Sequence, residues 1–449
     1  MRKHLPLLAI CLGYFMVILD ATIVNVALPS VGRDLGGGVS DLQWVVDAYT
    51  VVFASLLLSA GSVGDRLGAR RVLDAGLVLF TAASAACAMA PSVPVLIAAR
   101  ATQGLGAASL VPSSLALLRA AYENKADRAK AVGAWGAVAG IGAASGPILG
   151  GLLVGLASWR AVFVVNVPVG LAALWLSARH LPRAGEPTEG GFDPPGQVLG
   201  ILALTLLTVG LIEGGALGWG SPLSLAALIA SVPATLAFLA VERRAENPML
   251  PLSLFASRTF SGAAFVGLAI NLGFYGELFA MSLYFQHVRG YSALTTGLAL
   301  LPEGAFVALA ATLSGRVTGR VGPRRPMLAG LLCGAAGFAG LMVAGRGTPY
   351  VALVPALIAV GFGMAFTMPA ATAATIEAAP ADRAGIASGV LNAARQAGGA
   401  IGVALLGTLL AGGSFVPGLR AAMAISAGSF VVGAVVTSVA VERASVRAG

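Results

Sequence analysis

From Leu7 to Val441 the chain falls into fourteen apolar runs, most of them close to the roughly 20 residues that carry a helix across a bilayer. The first six are Leu7–Pro29, Leu42–Val63, Val72–Ala90, Val93–Leu118, Ala131–Leu153 and Arg160–Ser177. Two more, Gln197–Ile212 and Leu223–Val241, are set off by polar linkers on either side. The last six are Ser261–Phe285, Ala293–Leu313, Met327–Val343, Tyr350–Ile376, Gly385–Leu410 and Ala421–Val441. Only 10% of the residues are charged and 57% are hydrophobic, whereas a soluble domain carries about 25% charge. These runs predict an all-α polytopic membrane protein, with Leu5 onward expected to be a retained helix rather than a cleaved leader.

The charges sort by side. Threading the runs in alternation leaves Arg33, Arg160, Arg289, Arg346 and Arg420 on one face and Arg100 and Arg395 inside spans; the remaining 21 of the 28 Lys and Arg residues lie on the other face. This is the positive-inside pattern, and it predicts cytoplasmic termini. The formal charge of +9 therefore reports topology rather than a nucleic-acid partner. Cys11, Cys87 and Cys333 sit within apolar runs at no metal-ligand spacing, so they read as packing residues.

The chain also repeats itself. Gly61 to Arg71 aligns with Gly315 to Arg325 at an offset of 254, and Gly104, Gly106 and Pro112 align with Gly361, Gly363 and Pro369 at 257. Ala126-Asp-Arg128 aligns with Ala381-Asp-Arg383 at 255. A six-helix unit has been duplicated, giving expected units at 1–180 and 259–449, with two inserted helices and their linkers at 181–258. Parallel repeats of this kind build transporters whose site lies between the halves at mid-membrane.

Acids within spans point to ion or proton pathways, because a carboxylate in hydrocarbon is costly. Asp20 on the first span matches Arg100 on the fourth in depth, and the two are expected to pair and to part on protonation. Asp47 lies nearer the outer end of the second span, either as a second proton carrier or as an interfacial acid beside an aromatic belt of Trp44 and Tyr49. The repeat carries Asp20 to within about a turn of Glu277 and Asp47 to within two residues of Glu303, whereas Arg100 maps onto Leu357. Asn271, Phe274, Glu277, Met281 and Tyr284 recur at helical spacing. With Glu303 they form a candidate substrate-binding face suited by charge, cation–π contact and adaptable packing to a lipophilic cation. Pro302 is expected to bend the tenth span. Arg395 could pair with Glu277 or Glu303, or belong to a polar network with Asn392 and Gln396.

Several stretches together resemble the major facilitator superfamily. Gly61, Asp65, Arg66, Gly68, Arg70 and Arg71 form a string similar to its loop signature, and Arg100-Ala-Thr-Gln-Gly-Leu-Gly106 is similar to its fourth-helix motif. Gly136 to Gly151, with Gly146, Pro147 and Gly150, resembles the antiporter motif of the fifth helix. Leu19-Asp-Ala-Thr-Ile-Val-Asn-Val-Ala-Leu-Pro29, Trp159-Arg160 and Asn166-Val-Pro-Val-Gly170 resemble the fourteen-span drug:proton antiporters of bacteria, as do Tyr284 to Gly290 and Asn392 to Gln396. The second loop copy has Gly319 where the first has Asp65, so only the first is expected to act as a charged latch, with Asp65 at the start of the third span.

The resemblance implies two six-helix bundles plus two inserted helices, fourteen spans in all, in a bacterial cytoplasmic membrane. It implies export of amphipathic, often cationic, drugs or antibiotics in exchange for protons by alternating access. Symport or facilitated passage of a metabolite is the alternative. Protons are the coupling ion, lipids surround a monomer, and no cofactor, metal or enzymatic chemistry is expected: the chain has no phosphate loop and no catalytic pair among His4, His180 and His287.

Overall fold

The computed structural model describes residues 5–122, 124–181, 193–380, 383–411 and 414–442, without the side chains of Ser62, Asp65, Arg119 and residues 125–130. Every expected span coincides with helix. The first half comprises α1 (Leu5–Leu35), α2 (Val39–Leu67), α3 (Ala69–Ala88), α4 (Val93–Ala121), α5 (Lys125–Leu156), the single turn α6 (Ala161–Val164) and α7 (Asn166–His180). The inserted pair is α8 (Pro194–Leu217) and α9 (Pro222–Arg244). The second half comprises α10 (Arg258–Leu283), α11 (Ala293–Ala299), α12 (Leu301–Val321), α13 (Arg324–Leu341), α14 (Tyr350–Glu377), α15 (Ala384–Ala411) and α16 (Phe415–Ala440).

Among the described residues, twelve helical segments are long and apolar enough to cross a membrane. Two of the expected fourteen spans, α4 and α13, are not among them. Arg100 and Gln103 interrupt the middle of α4, and α13 opens on Arg324 and Arg325 with only 18 residues to dilute them. Both are nevertheless integral to their bundles, α4 packed on α2 and α3, and α13 on α14 and α16. Two expected spans are broken. Residues 160–177 divide at Val165 into α6 and α7, and the tenth run divides at Leu300, with Pro302 in the first turn of α12 where its missing N–H is harmless.

The duplication is visible in the packing. The turns from α2 to α3 and from α12 to α13 are made by Gly68 and Gly322, both in the left-handed region (φ 92° and 74°) that a side chain disfavours. These are equivalent positions at the offset of 254. A β-carbon on Gly104 would stand 2.5 Å from the carbonyl oxygen of Tyr49, and one on Gly361 2.5 Å from that of Glu303. Two residues on, and so facing another side of the helix, Gly106 abuts Phe80 and Gly363 abuts Gly334, again an equivalent pair. The same glycine pair thus lets the fourth helix of each half lie directly against its second and third.

The halves meet along α2 and α15, and along α5 with α11 and α12. On the side away from the chain ends the seam is tight: Gln43 Nε2 donates to the carbonyls of Val403 and Ala404 at 3.1 and 2.8 Å, and Gln286 Nε2 donates to that of Val26 at 2.9 Å. There Gly297 and Gly304 press on the carbonyls of Pro147 and Ala144. Toward the side of the chain ends an open cleft separates α2, α4 and α5 from α15. The inserted α8 lies over the α2–α15 seam: Gln197 Nε2 donates to Ser55 O at 2.8 Å, Trp44 Nε1 to Glu213 at 3.1 Å, and Thr408 Oγ1 to Leu211 O at 2.7 Å.

Candidate functional site

Asp20 lies midway along α1, without solvent exposure, and its two oxygens are fully subscribed. Oδ2 forms an ion pair with Arg100 Nη1. Oδ1 accepts from Gln103 Nε2 at 2.8 Å and from Asn166 Nδ2 at 2.9 Å. Arg100 is equally compensated: its Nε donates to Val45 O at 2.9 Å, its Nη1 also reaches Gln103 Oε1 at 2.7 Å, and its guanidinium lies 4.3 Å from the centre of the Tyr49 ring. Gln103 Nε2 is shared with Ser84 Oγ at 2.9 Å. Four helices therefore converge on one buried charge pair. Such a pair holds while every member is satisfied; removing one charge strands the other at a cost of several kcal/mol.

Three members of this cluster were not anticipated as site residues. Gln103 follows Arg100 by three residues on one helix face, and Asn166 is an amide placed in an otherwise apolar helix; both signals are present in the sequence. Tyr49, expected in an interfacial aromatic belt, is instead buried beneath Arg100, while Trp44 bonds to α8.

The other intramembrane acids are arranged differently. Asp47 is buried and neither of its oxygens has a hydrogen-bond partner. Glu277 and Glu303 lie beside one another in the second half. Both are buried, and no donor from any other residue reaches their four oxygens. Arg395 pairs with neither: its Nη1 donates to Asn392 Oδ1 at 3.1 Å. Gln396 is half-buried beside it.

Of the remaining candidates on α10, Asn271 is buried with its amide unpartnered, and Phe274 and Met281 are buried in the core. Tyr284, in the wider turn that ends α10, donates its hydroxyl to Gly345 O at 2.8 Å and so anchors the helix end. None of these residues lines the cleft, whose wall includes Gly61, Gly64, Ser113, Trp135, Ser388 and Asn392.

In the loop motif, Asp65 stands in the last turn of α2, and its side chain lies outside the described residues; the N-cap of α3 is Gly68. Arg66 and Arg71 are exposed at this turn. Arg70 provides the latch that the geometry resolves. It donates to the carbonyls of Leu181 and Ala178 at 2.8 and 3.0 Å, closing the C-terminal end of α7, and pairs with Asp74 at 3.6 Å. In the fifth-helix motif, Gly146 and Gly150 seat α5 against Thr22 and Ile23, the turn of α1 that follows Asp20. The carbonyl of Pro147 faces Gly297 in the other half.

The sequence profile described as Major Facilitator Superfamily matches residues 10–403. The chain is 40% identical over 407 residues to "Multidrug resistance protein Stp" of Mycobacterium tuberculosis (strain CDC 1551 / Oshkosh), covering 91% of this chain and 76% of that one. It is 36% identical over 413 residues to "Methylenomycin A resistance protein" of Streptomyces coelicolor, covering 91% and 87%. "Tetracenomycin C resistance and export protein" of Streptomyces glaucescens is 38% identical over 414 residues, covering 91% and 76%. In fold, the chain is similar to a bacterial homolog of the human lysosomal transporter Spinster in its inward-facing and occupied conformation. That match has a TM-score of 0.67 at 16% identity and covers 97% of this chain and 96% of the other. Profile, relatives and fold agree that this multi-pass membrane protein belongs to the Major Facilitator Superfamily.

Proposed function

We propose that the protein exports amphipathic drugs or antibiotics from the bacterial cytoplasm in exchange for protons. In this reading all fourteen helices cross the inner membrane, both termini are cytoplasmic, and the monomer alternates the access of a path between its halves. The names of the relatives support the substrate class. The observation that supports proton coupling is the buried Asp20–Arg100 pair with its amide partners Gln103 and Asn166.

Ionised Asp20 holds α1, α4 and α7 together through Arg100 and the two amides. A proton on Asp20 cancels the pair and leaves Arg100 to Val45 O, Gln103 Oε1 and the Tyr49 face. The cost of that stranded charge is several kcal/mol, the range needed to shift a two-state population decisively, which is about 5.5 kcal/mol for a swing from 1:99 to 99:1. Because Gly146 and Gly150 couple the following turn of α1 to α5, and α5 abuts α11 and α12, a rearrangement at Asp20 reaches the seam that closes the far side. Protonation would thus select one facing state, and deprotonation on the other side of the membrane would reset it.

The test is proton movement in proteoliposomes with an acidic interior, followed by a trapped pH dye, on addition of methylenomycin A or tetracenomycin C. Antiport requires that either compound accelerates proton efflux, and that Asp20→Asn abolishes the response. Compound flux that ignores the proton gradient would make the protein a facilitator. Proton influx together with the compound would make it a symporter.

A further inference from the structure

Arg395 is the charged group in the second half that the coupling site does not use. It lies 11 residues along α15 from Ala384, about 16 Å into the bundle at a rise of 1.5 Å per residue. A guanidinium carries five N–H donors. Here one contact, Nη1 to Asn392 Oδ1 at 3.1 Å, is made, and the buried Nε has no partner. Among the described residues no carboxylate forms an ion pair with it. Glu277 and Glu303, the acids that could have neutralised it, are reached by no donor from any other residue. Arg100, fully buried in the first half, is paired with Asp20 and bonded to Val45 O and Gln103; Arg395, half-buried, is not so compensated.

What surrounds Arg395 comes from both halves. Tyr14 on α1 and Tyr275 on α10 are both within its electrostatic reach. The Tyr14 ring lies flat on that of Trp135, with centroids 3.9 Å apart and planes 5° from parallel. Trp135 in turn lines the cleft, together with Asn392, Ser388 and Ser113, whose buried Oγ is unpartnered. The rest of the described lining is Gly, Ala, Val, Leu and Pro, and among the described residues no acid is part of it.

We propose that the cleft takes planar aromatic compounds bearing an anionic group, a carboxylate being the simplest, with the anion held by Asn392 and by the half-buried Arg395 behind it, and the ring laid on Trp135, which Tyr14 backs. Among the described residues a cation entering this cleft meets no counter-charge, and it would have to approach a guanidinium that has no ion-pair partner. A carboxylate supplies the two acceptor oxygens that the guanidinium fork is shaped for. The proposal rests on the exporter reading only in taking the cleft as part of the substrate path.

The test uses one ring with three charges: anthracene-9-carboxylate, 9-(hydroxymethyl)anthracene and 9-(aminomethyl)anthracene, bound to the purified full chain in nanodiscs without any gradient. The readout is quenching of indole fluorescence, with Trp135→Phe identifying the share that comes from the cleft. A charge-assisted hydrogen bond predicts that the carboxylate binds about tenfold or more tighter than the ammonium compound. Arg395→Gln should erase that preference and leave binding of the neutral alcohol unchanged, which also certifies the fold; Arg395→Lys should keep part of it. Equal or tighter binding of the ammonium compound overturns the proposal, as does a preference that survives Arg395→Gln, or no binding of any of the three. Because binding is read at equilibrium, a failure of proton-driven flux would sink the antiport reading and leave this result standing, and the converse also holds.

Discussion

Glu303 occupies in the second half the place that Tyr49 holds in the first. The carbonyl oxygen of each meets the α-carbon face of a glycine on the fourth helix of its half, Gly361 and Gly104 respectively. Tyr49 there underlies Arg100 in the compensated charge pair, whereas Glu303 adjoins Glu277 with Leu357 in the position equivalent to Arg100. One duplicated scaffold therefore holds a cation–carboxylate pair on one side and two carboxyls without a cation on the other.

That difference predicts opposite responses to amide substitution. Glu303→Gln places an amide donor beside the Glu277 carboxyl, which no amide or cation reaches, and should raise the thermal stability of the protein by about 1 kcal/mol. Asp20→Asn removes the negative member of a satisfied pair and should lower it by about 3 kcal/mol or more. Thermal unfolding of the two variants in the same detergent at one pH reads both signs; a fall with Glu303→Gln would show that Glu277 and Glu303 support each other as they stand.

The glycine pairs predict matched substitution effects. A methyl group at Gly104 or Gly361 would meet a backbone carbonyl at 2.5 Å, and backbone has little freedom to yield. Each Gly→Ala change should cost about 1–3 kcal/mol through overpacking. Gly140 on α5 has open space around its α-carbon, so Gly140→Ala should be neutral or gain up to about 1 kcal/mol from helix propensity. Melting temperatures of the three variants check this, and equal effects at all three positions would mean that the glycines matter only as helix residues.

At the charge pair, Arg100→Lys tests whether shape or charge alone is required. Lysine keeps the charge but loses the planar fork that reaches Val45 O, Gln103 and Asp20 together. Substrate-driven proton flux should fall at least about tenfold, as expected for loss of one charge-assisted hydrogen bond, with the protein still folded by size-exclusion profile. Wild-type flux in Arg100→Lys would reduce the guanidinium to a point charge.

Much of this was legible in the sequence because periodicity and cost act locally. Helix after helix follows from apolar run length, the duplication from glycine offsets, and the Asp20–Arg100 pairing from the expense of two lone charges in hydrocarbon. What was not legible depends on which helix faces which. Arg395 was expected either beside Glu277 or Glu303 or in a polar network with Asn392 and Gln396; α15 gives it Asn392, with Tyr14 and Tyr275 nearby, and the sequence did not choose between the two. Asn166 and Gln103 sit within recognised motifs, yet no spacing rule joins residues 146 positions apart on α1 and α7 to one carboxylate oxygen. The breaks at Val165 and Leu300 lie inside apolar runs whose composition gives no warning of the first and only Pro302 of the second. The contact of Arg70 with the end of α7 was not legible either, because it requires knowing where α7 stops.

The far seam supplies the last prediction. Gly297 and Gly304 allow α11 and α12 to rest on the carbonyls of Pro147 and Ala144, where a β-carbon would stand 2.3 and 2.8 Å away. A bulky side chain at either position acts as a wedge between halves, since the opposing surface is backbone. In a chain that alternates access, the wedge should populate the state open on that side rather than unfold the bundle, because each half keeps its own core. Spin labels at Leu156 and Leu298, both exposed near this seam, report the separation in a background with Cys11, Cys87 and Cys333 replaced by alanine. Gly304→Leu should lengthen and broaden the label distance by several ångströms while the melting transition persists. If the distance stays unchanged and transport continues, α5 yields locally and the seam is not the gate. If the distance lengthens and transport stops, closure of this side is a required step of the cycle, and the small residues on both sides of it, Gly297 and Gly304 included, are what allow the two halves to touch.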